Sequence, residues 1–303
     1  MSQTISAPSS QEGSGRPRAG AWWRVLLTGL GLYFAGLVLL VLSGNPNLFP
    51  TVVMLGSFMV PATYVAFFYE RRHLSLLSAP TTALGFFWGG VLGVFAATLL
   101  EPLFLGHLDF LTSLQVGLIE EFVKLLGVLW IARRLRHDSE LDGLILGAAA
   151  GMGFAALEST GYAFTAFLES HGSLSAIVAV TLMRGLLSPL GHGTWTAILV
   201  GVLFRETKAG RFHVNRAVVV TYVGVAILHG LWDGLPGFVS AFVSSGVDVF
   251  IAQVLVGAAG LYILWRRWRE ARRLQLAEAL RDLVPAEAPA EPGEVGVSGP
   301  AEE

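Results

Sequence analysis

Residues 143–168 read GLILGAAAGMGFAALESTGYAFTAFL, a run that carries a single charged side chain, Glu158. A helix rises ~1.5 Å per residue and needs ~20 apolar residues to cross the hydrocarbon layer, so this stretch is long enough to span a bilayer. Moving outward from it, seven further stretches meet the same requirement, at roughly 22–43, 49–69, 84–105, 112–132, 176–204, 217–239 and 248–268. None alternates in the manner of a transmembrane β-strand, and a helix satisfies its own backbone groups in lipid. The expected fold is all-α, a polytopic transmembrane helical bundle of about eight spans.

Composition agrees. The 303 residues are 53% hydrophobic and 14% charged, with a mean hydropathy of +0.63. Average soluble domains carry about 25% charge, which excludes an ordinary soluble enzyme and a disordered chain. No cysteine is present, which rules out disulfides, thiolate metal sites and Cys nucleophiles. A formal net charge of -2 without a basic tract gives no footing for nucleic acid.

The basic residues set the orientation, because cytoplasmic loops collect Lys and Arg. Arg16, Arg18 and Arg24 lie at the N-terminus, around the start of the first span; Arg71 and Arg72 follow the second. Arg133, Arg134 and Arg136 follow the fourth, and Arg205, Lys208, Arg211 and Arg216 lie between the sixth and seventh. Six more follow the eighth, from Arg266 to Arg281. All fall on one side if both termini are cytoplasmic, and the alternate loops hold none, so an N-in, C-in arrangement in the cell membrane is expected. Residues 1–21 and 269–303 are expected as cytoplasmic tails, the first disordered and the second largely so, around a 22–268 membrane domain. The first span is longer than a signal-peptide apolar region and is expected to remain.

Only Lys124 and Arg184 among the basic residues fall inside spans away from their ends, and they have company. Span 4 holds Glu120, Glu121 and Lys124 in GLIEEFVKLLG (117–127); span 5 holds Glu158. Span 6 holds Arg184 and His192, the latter in PLGHGT (189–194); span 7 holds His229 and Asp233 in LHGLWDG (228–234). Each such group costs ~2.5 to 3.5 kcal/mol or more to insert, so its presence marks function by default. Glu120, Glu121, Glu158 and His229 share a level ~12 to 15 Å below the outer surface, judged from helix rise. Pro189 and its flanking glycines predict a kink beside His192. The glycines Gly191, Gly193, Gly230 and Gly234 leave room for close helix approach or for a substrate backbone.

Spacing pairs these residues. Lys124 is i+4 from Glu120 and i+3 from Glu121, so it neutralises either; His229 and Asp233 are i,i+4, which lets the aspartate orient the imidazole. Taken singly, Lys124 and Arg184 read as charge-balancing partners, a membrane histidine as a helix–helix hydrogen-bonding group, and Glu101 beside Pro102 as interfacial. Jointly, three carboxylates, two histidines and an aspartate are more than packing needs. Two chemistries suit such a set: hydrolysis by carboxylate- or metal-activated water, and a proton or ion relay in a transporter. Two neutral His and a Glu suit Zn²⁺, with a second Glu as general base. No internal repeat of the transporter kind is evident.

The combination EEFVK, FAALE, an isolated intramembrane His and HGLWD resembles the PrsW family of intramembrane proteases, grouped with CAAX prenyl endopeptidases and bacteriocin-processing membrane proteins. The resemblance covers about residues 112–240. It implies cleavage of a membrane-anchored protein in or near the bilayer, often an anti-sigma factor. It also places Glu120, Glu121, Glu158, His192, His229 and Asp233 in the catalytic motifs. Prenyl endopeptidases carry histidine where Glu158 stands, which argues against a prenyl-protein substrate; Ser159 departs from the Asn favoured in the family. The expected mechanism has Glu120 or Glu121 as general base and His192 and His229, with Glu121, as ligands of a divalent metal, zinc. Lys124 and Arg184 balance charge, and Glu158 is a further ligand or proton shuttle.

Overall fold

The computed structural model of the chain describes residues 20–106, 110–133, 139–208, 210–242 and 246–282. Among these residues the secondary structure is helical apart from one isolated bridge between Lys208 and Arg211. In chain order the helices are α1 (Ala21–Ser43), α2 (Phe49–Glu70), α3 (Ala79–Phe104), α4 (Phe110–Ala132), α5 (Glu140–Glu169), α6 (Leu174–Leu187), α7 (His192–Arg205), α8 (Arg216–Ser240) and α9 (Gly246–Asp282).

The protein is an all-α, multi-pass membrane bundle. Six described stretches are long and apolar enough to cross a bilayer, namely Ala21–Ser43, Pro46–Glu70, Ala79–Phe104, Glu140–Glu169, Leu174–Arg205 and Arg216–Ser240. The other two expected spans are α4 and α9, helices of 23 and 37 residues. Three charged side chains interrupt the apolar run of α4. Helix α9 continues past 268 to Asp282, so the first part of the expected C-terminal tail is helical. Its sequence ARRLQLAEALRD is built from strong helix formers, which explains the extension. Residues 1–19 and 283–303 of the expected tails, with Arg16 and Arg18, lie outside the described residues, as do Arg134 and Arg136 of the loop after the fourth expected span.

The helix at the centre is α5, with 94% of its most apolar window buried. Gly143, Gly147 and Gly151 recur every four residues and so share one face of it. A Cβ there would meet the carbonyl oxygens of Val200 at 2.6 Å, Thr196 at 2.5 Å and His192. The stripe therefore lets α7 lie directly on α5, the close approach that small residues permit between membrane helices.

Several polar contacts gather the basic ends of the helices. The Glu70 carboxylate accepts from the backbone N–H groups of Gly20 and Trp22, joining the start of α1 to the end of α2. Arg267 of α9 pairs with Glu140 at the start of α5, and Ser139 donates to Gln275 at 2.6 Å. At this end the bundle is solid, with Val128, Ala132, Leu141, Leu144, Ile145, Phe204, Leu264 and Ala271 all in one buried cluster.

The sixth span is broken where Pro189 predicts. After α6, residues Ser188–Leu190 form a single 3-10 turn, Gly191 leaves the helical conformation (φ -112°, ψ -129°), and α7 restarts at His192. Proline removes a backbone donor and blocks the preceding turn, and the restart places His192 at the first position of a new helix in the middle of the protein.

Candidate active site

Helix α4 supplies the acids. Glu120, Glu121 and Lys124 are all buried, and the lysine Nζ donates to Glu120 Oε2 at 3.0 Å and to Glu121 Oε1 at 2.9 Å. Glu121 is fully committed: its second oxygen, Oε2, accepts from Thr196 Oγ1 of α7 at 3.0 Å. Helix α8 lies tightly against α4, because a Cβ on Gly230 would stand 2.6 Å from Leu114 Cα. That contact presses the neighbouring His229 onto the acids.

Each histidine has one ring nitrogen held by a carboxylate. Nδ1 of His229 lies 3.1 Å from Glu121 Oε1, and Nε2 of His192 lies 2.9 Å from Glu158 Oε2. In a neutral imidazole one nitrogen donates and the other keeps a lone pair. The lone pairs then belong to Nδ1 of His192 and Nε2 of His229, which lie 3.8 Å and 3.5 Å from the same atom, Glu120 Oε2. Carboxylate-backed imidazoles of this kind recur at metal centres, where the backing group fixes the ring and its tautomer.

The surroundings hold these rings in place. Trp195 is fully buried and stacks on His229 with centroids 4.7 Å apart, while His192 meets His229 edge-on at 4.8 Å. Arg184 donates to Glu158 at 2.7 Å and to Ser159 Oγ at 3.1 Å, and its guanidinium lies 4.0 Å over the Tyr162 ring. Ser159, the departure from the family pattern, thus anchors the arginine that holds Glu158.

A cavity of about 930 Å³ opens on the cluster, lined by late α3, early α4, the middle of α5, and parts of α6, α8 and α9. Glu120, Glu158, Asp233 and Arg184 face it, and Glu101 does too. His192 borders a separate space of about 140 Å³, with Arg184, Trp232 and Gln253 common to the walls of both. Glu121 and His229 are hidden behind their neighbours.

Among the residues expected at the site, Glu120, Glu121, Lys124, His192, His229, Glu158, Arg184 and Asp233 all enter one network. Their assignments shift with the geometry. Glu120 groups with His192 and His229 as three side chains able to offer one ligand atom each within 4.8 Å of one another, whereas Glu121 backs His229 from behind. Asp233 Oδ2 lies 3.3 Å from Nε2 of His229, whereas Glu121 Oε1 stands at hydrogen-bond distance from Nδ1, so the two carboxylates meet different nitrogens of the ring. Thr196, Trp195 and Glu101 were not anticipated. The first two had a signal, since they follow His192 by four and three residues on one helical face. Glu101 sits near the end of its helix and had none.

The donor set fits a divalent cation. Nε2 of His229 is buried and makes no hydrogen bond among the described residues, although the oxygens of Glu120 and Asp233 lie at 3.5 Å and 3.3 Å; those contacts have ion-pair distance without hydrogen-bond geometry. A lone pair facing two carboxylates calls for a positive centre between them. Carboxylates also outnumber Lys124 and Arg184 around the cluster, with Glu101, Glu120, Glu121, Glu158 and Asp233 all nearby, an excess that favours a cation.

A family model described as PrsW family intramembrane metalloprotease matches residues 78–264. No curated protein and no solved structure matches the chain.

Proposed function

Since the chain belongs to the PrsW family of intramembrane metalloproteases, we propose that it hydrolyses a peptide bond of a membrane-anchored protein inside the 930 Å³ cavity, with Glu120, His192 and His229 as the centre of the reaction. The observation that carries this reading is the grouping of Glu120, His192 and His229 within ligand distance of one another, with the ring nitrogens not held by Glu158 and Glu121 lying 3.8 Å and 3.5 Å from Glu120 Oε2. An anti-sigma factor is the substrate type that fits the family resemblance.

Glu120, His192 and His229 would hold the metal, and zinc suits a site with two imidazoles, one carboxylate and an open position. A bound ion would supply Lewis acidity there, for a carbonyl oxygen and for water. Asp233 is the carboxylate placed to receive that water's proton, because it lines the cavity, its side chain is 38% exposed, and it stands beside His229. Protonated Asp233 then returns the proton to the departing amine. Glu121 and Glu158 keep the imidazoles in register, and Arg184 keeps Glu158 in place. Phe154, Trp232 and Phe238 give the cavity an apolar share of its wall, against which charge interactions are stronger than in water.

The test uses the purified protein in lipid nanodiscs with a single-span substrate. Wild type should generate a new peptide end visible by mass spectrometry, and Glu120→Gln should lose cleavage and bound metal together while still inserting. Undiminished cleavage by Glu120→Gln would remove Glu120 from the reaction.

A further inference from the structure

The ammonium of Lys124 occupies a revealing position. It is completely buried and stands 2.8 Å from His192 Nδ1, 3.0 Å from Glu120 Oε2, 2.9 Å from Glu121 Oε1 and 3.9 Å from the centre of the Phe154 ring. An ammonium has three protons to give and no lone pair, so these polar contacts use all three. Two of the acceptors, His192 Nδ1 and Glu120 Oε2, are atoms assigned above to the metal.

An imidazole nitrogen has one in-plane lone pair. It serves the lysine or a metal, never both. The other nitrogen of His192 offers no alternative, because Glu158 holds it at 2.9 Å with Arg184 behind. Resting on the metal reading of this site, we infer that Lys124 is a resident cation that holds the metal's place. A divalent ion binds by displacing Nζ from His192 and Glu120, and the lysine keeps its proton, its contact with Glu121 and its seat on Phe154. With the lysine in place, the carboxylates stay compensated and the imidazoles stay oriented in the metal-free protein. The affinity for metal is then set by a displacement and not by an empty pocket.

Co(II) titration of the full-length protein in nanodiscs, followed by ligand-field absorption against a competing chelator, tests this directly. Lys124→Met removes the competitor, and Arg184→Met removes an equal charge from the same network without freeing an atom of His192 or Glu120. The expected result is that Lys124→Met binds Co(II) at least tenfold more tightly than both wild type and Arg184→Met. Equal tightening in the two variants reduces Lys124 to a simple counter-charge and overturns the inference, as does weaker binding by Lys124→Met. If wild type and Lys124→Met both bind no Co(II) or Zn(II), the metal reading itself falls. Because Lys124→Met leaves two buried acids uncompensated and risks misfolding, a structure of the zinc-loaded wild type supplies an independent check. Nζ should then lie beyond hydrogen-bond distance of His192 Nδ1 and remain on Glu121. Zinc on His192 Nδ1 with the lysine unmoved is sterically contradictory to this scheme and would end it.

Discussion

At Asp233 and Glu121 two carboxylates touch the same imidazole from opposite sides, and their substitutions should separate cleanly. Asp233→Asn removes the proton acceptor but no buried support, so turnover should fall ~10²- to 10⁴-fold, the usual range for a lost general base, with metal content unchanged. Glu121→Gln removes the group that fixes His229, and should lower metal affinity and activity together by ~10- to 100-fold. Metal analysis beside turnover measurements distinguishes the two; loss of metal in Asp233→Asn would make the aspartate a ligand. The contrast also shows what one-dimensional spacing conveys. The i,i+4 interval places Asp233 near His229, and the structure has it 3.3 Å from the ring. Which nitrogen it meets depends on Glu121 arriving from another helix, and no interval along the chain encodes that.

Helices α4 and α8 meet through glycine, and this contact sets the position of His229. In Gly230→Ala the added methyl would stand 2.6 Å from a backbone atom, Leu114 Cα, so it cannot be absorbed by a side-chain rotation. The helices must separate, moving His229 off Glu120 and Glu121. Cleavage should drop at least tenfold, since ~1 Å of misplacement at a reacting centre can cost 10²-fold. Membrane insertion should be unchanged, as followed by expression and detergent gel filtration; full activity would mean the contact has slack. Element positions were legible in the apolar runs because a lipid-spanning helix leaves a long, uniform signature. The break before His192 was legible too, through Pro189. Its outcome was not: a kinked helix and a restarted one look alike in sequence, and the depth of His192 follows from the restart. Likewise Glu101, near the end of α3, reads as interfacial until the cavity is seen to reach it.

For the bundle as a whole, the cavity belongs to the end that carries late α3, early α4, late α8 and early α9, opposite the end where Arg267 meets Glu140. If the arginine-rich end faces the cytoplasm, substrates enter from the other side of the membrane. The chain contains no native cysteine, so each introduced thiol is a unique reporter of sidedness. Gly106→Cys and His171→Cys should react with an impermeant maleimide on intact cells, whereas His73→Cys and Lys208→Cys should react only after permeabilisation. Labelling of His73→Cys or Lys208→Cys on intact cells would reverse the orientation, and a mixed pattern would revise the number of spans.

The stacking of Trp195 on His229, 4.7 Å between ring centres and with Trp232 5.9 Å away, gives the reaction centre an optical voice of its own. Indole emission is quenched by a neighbouring paramagnetic ion and shifts when its stacking partner tilts. With the remaining tryptophans replaced by phenylalanine, the glow of this one side chain would report in real time on what occupies the heart of the protein, without any attached dye.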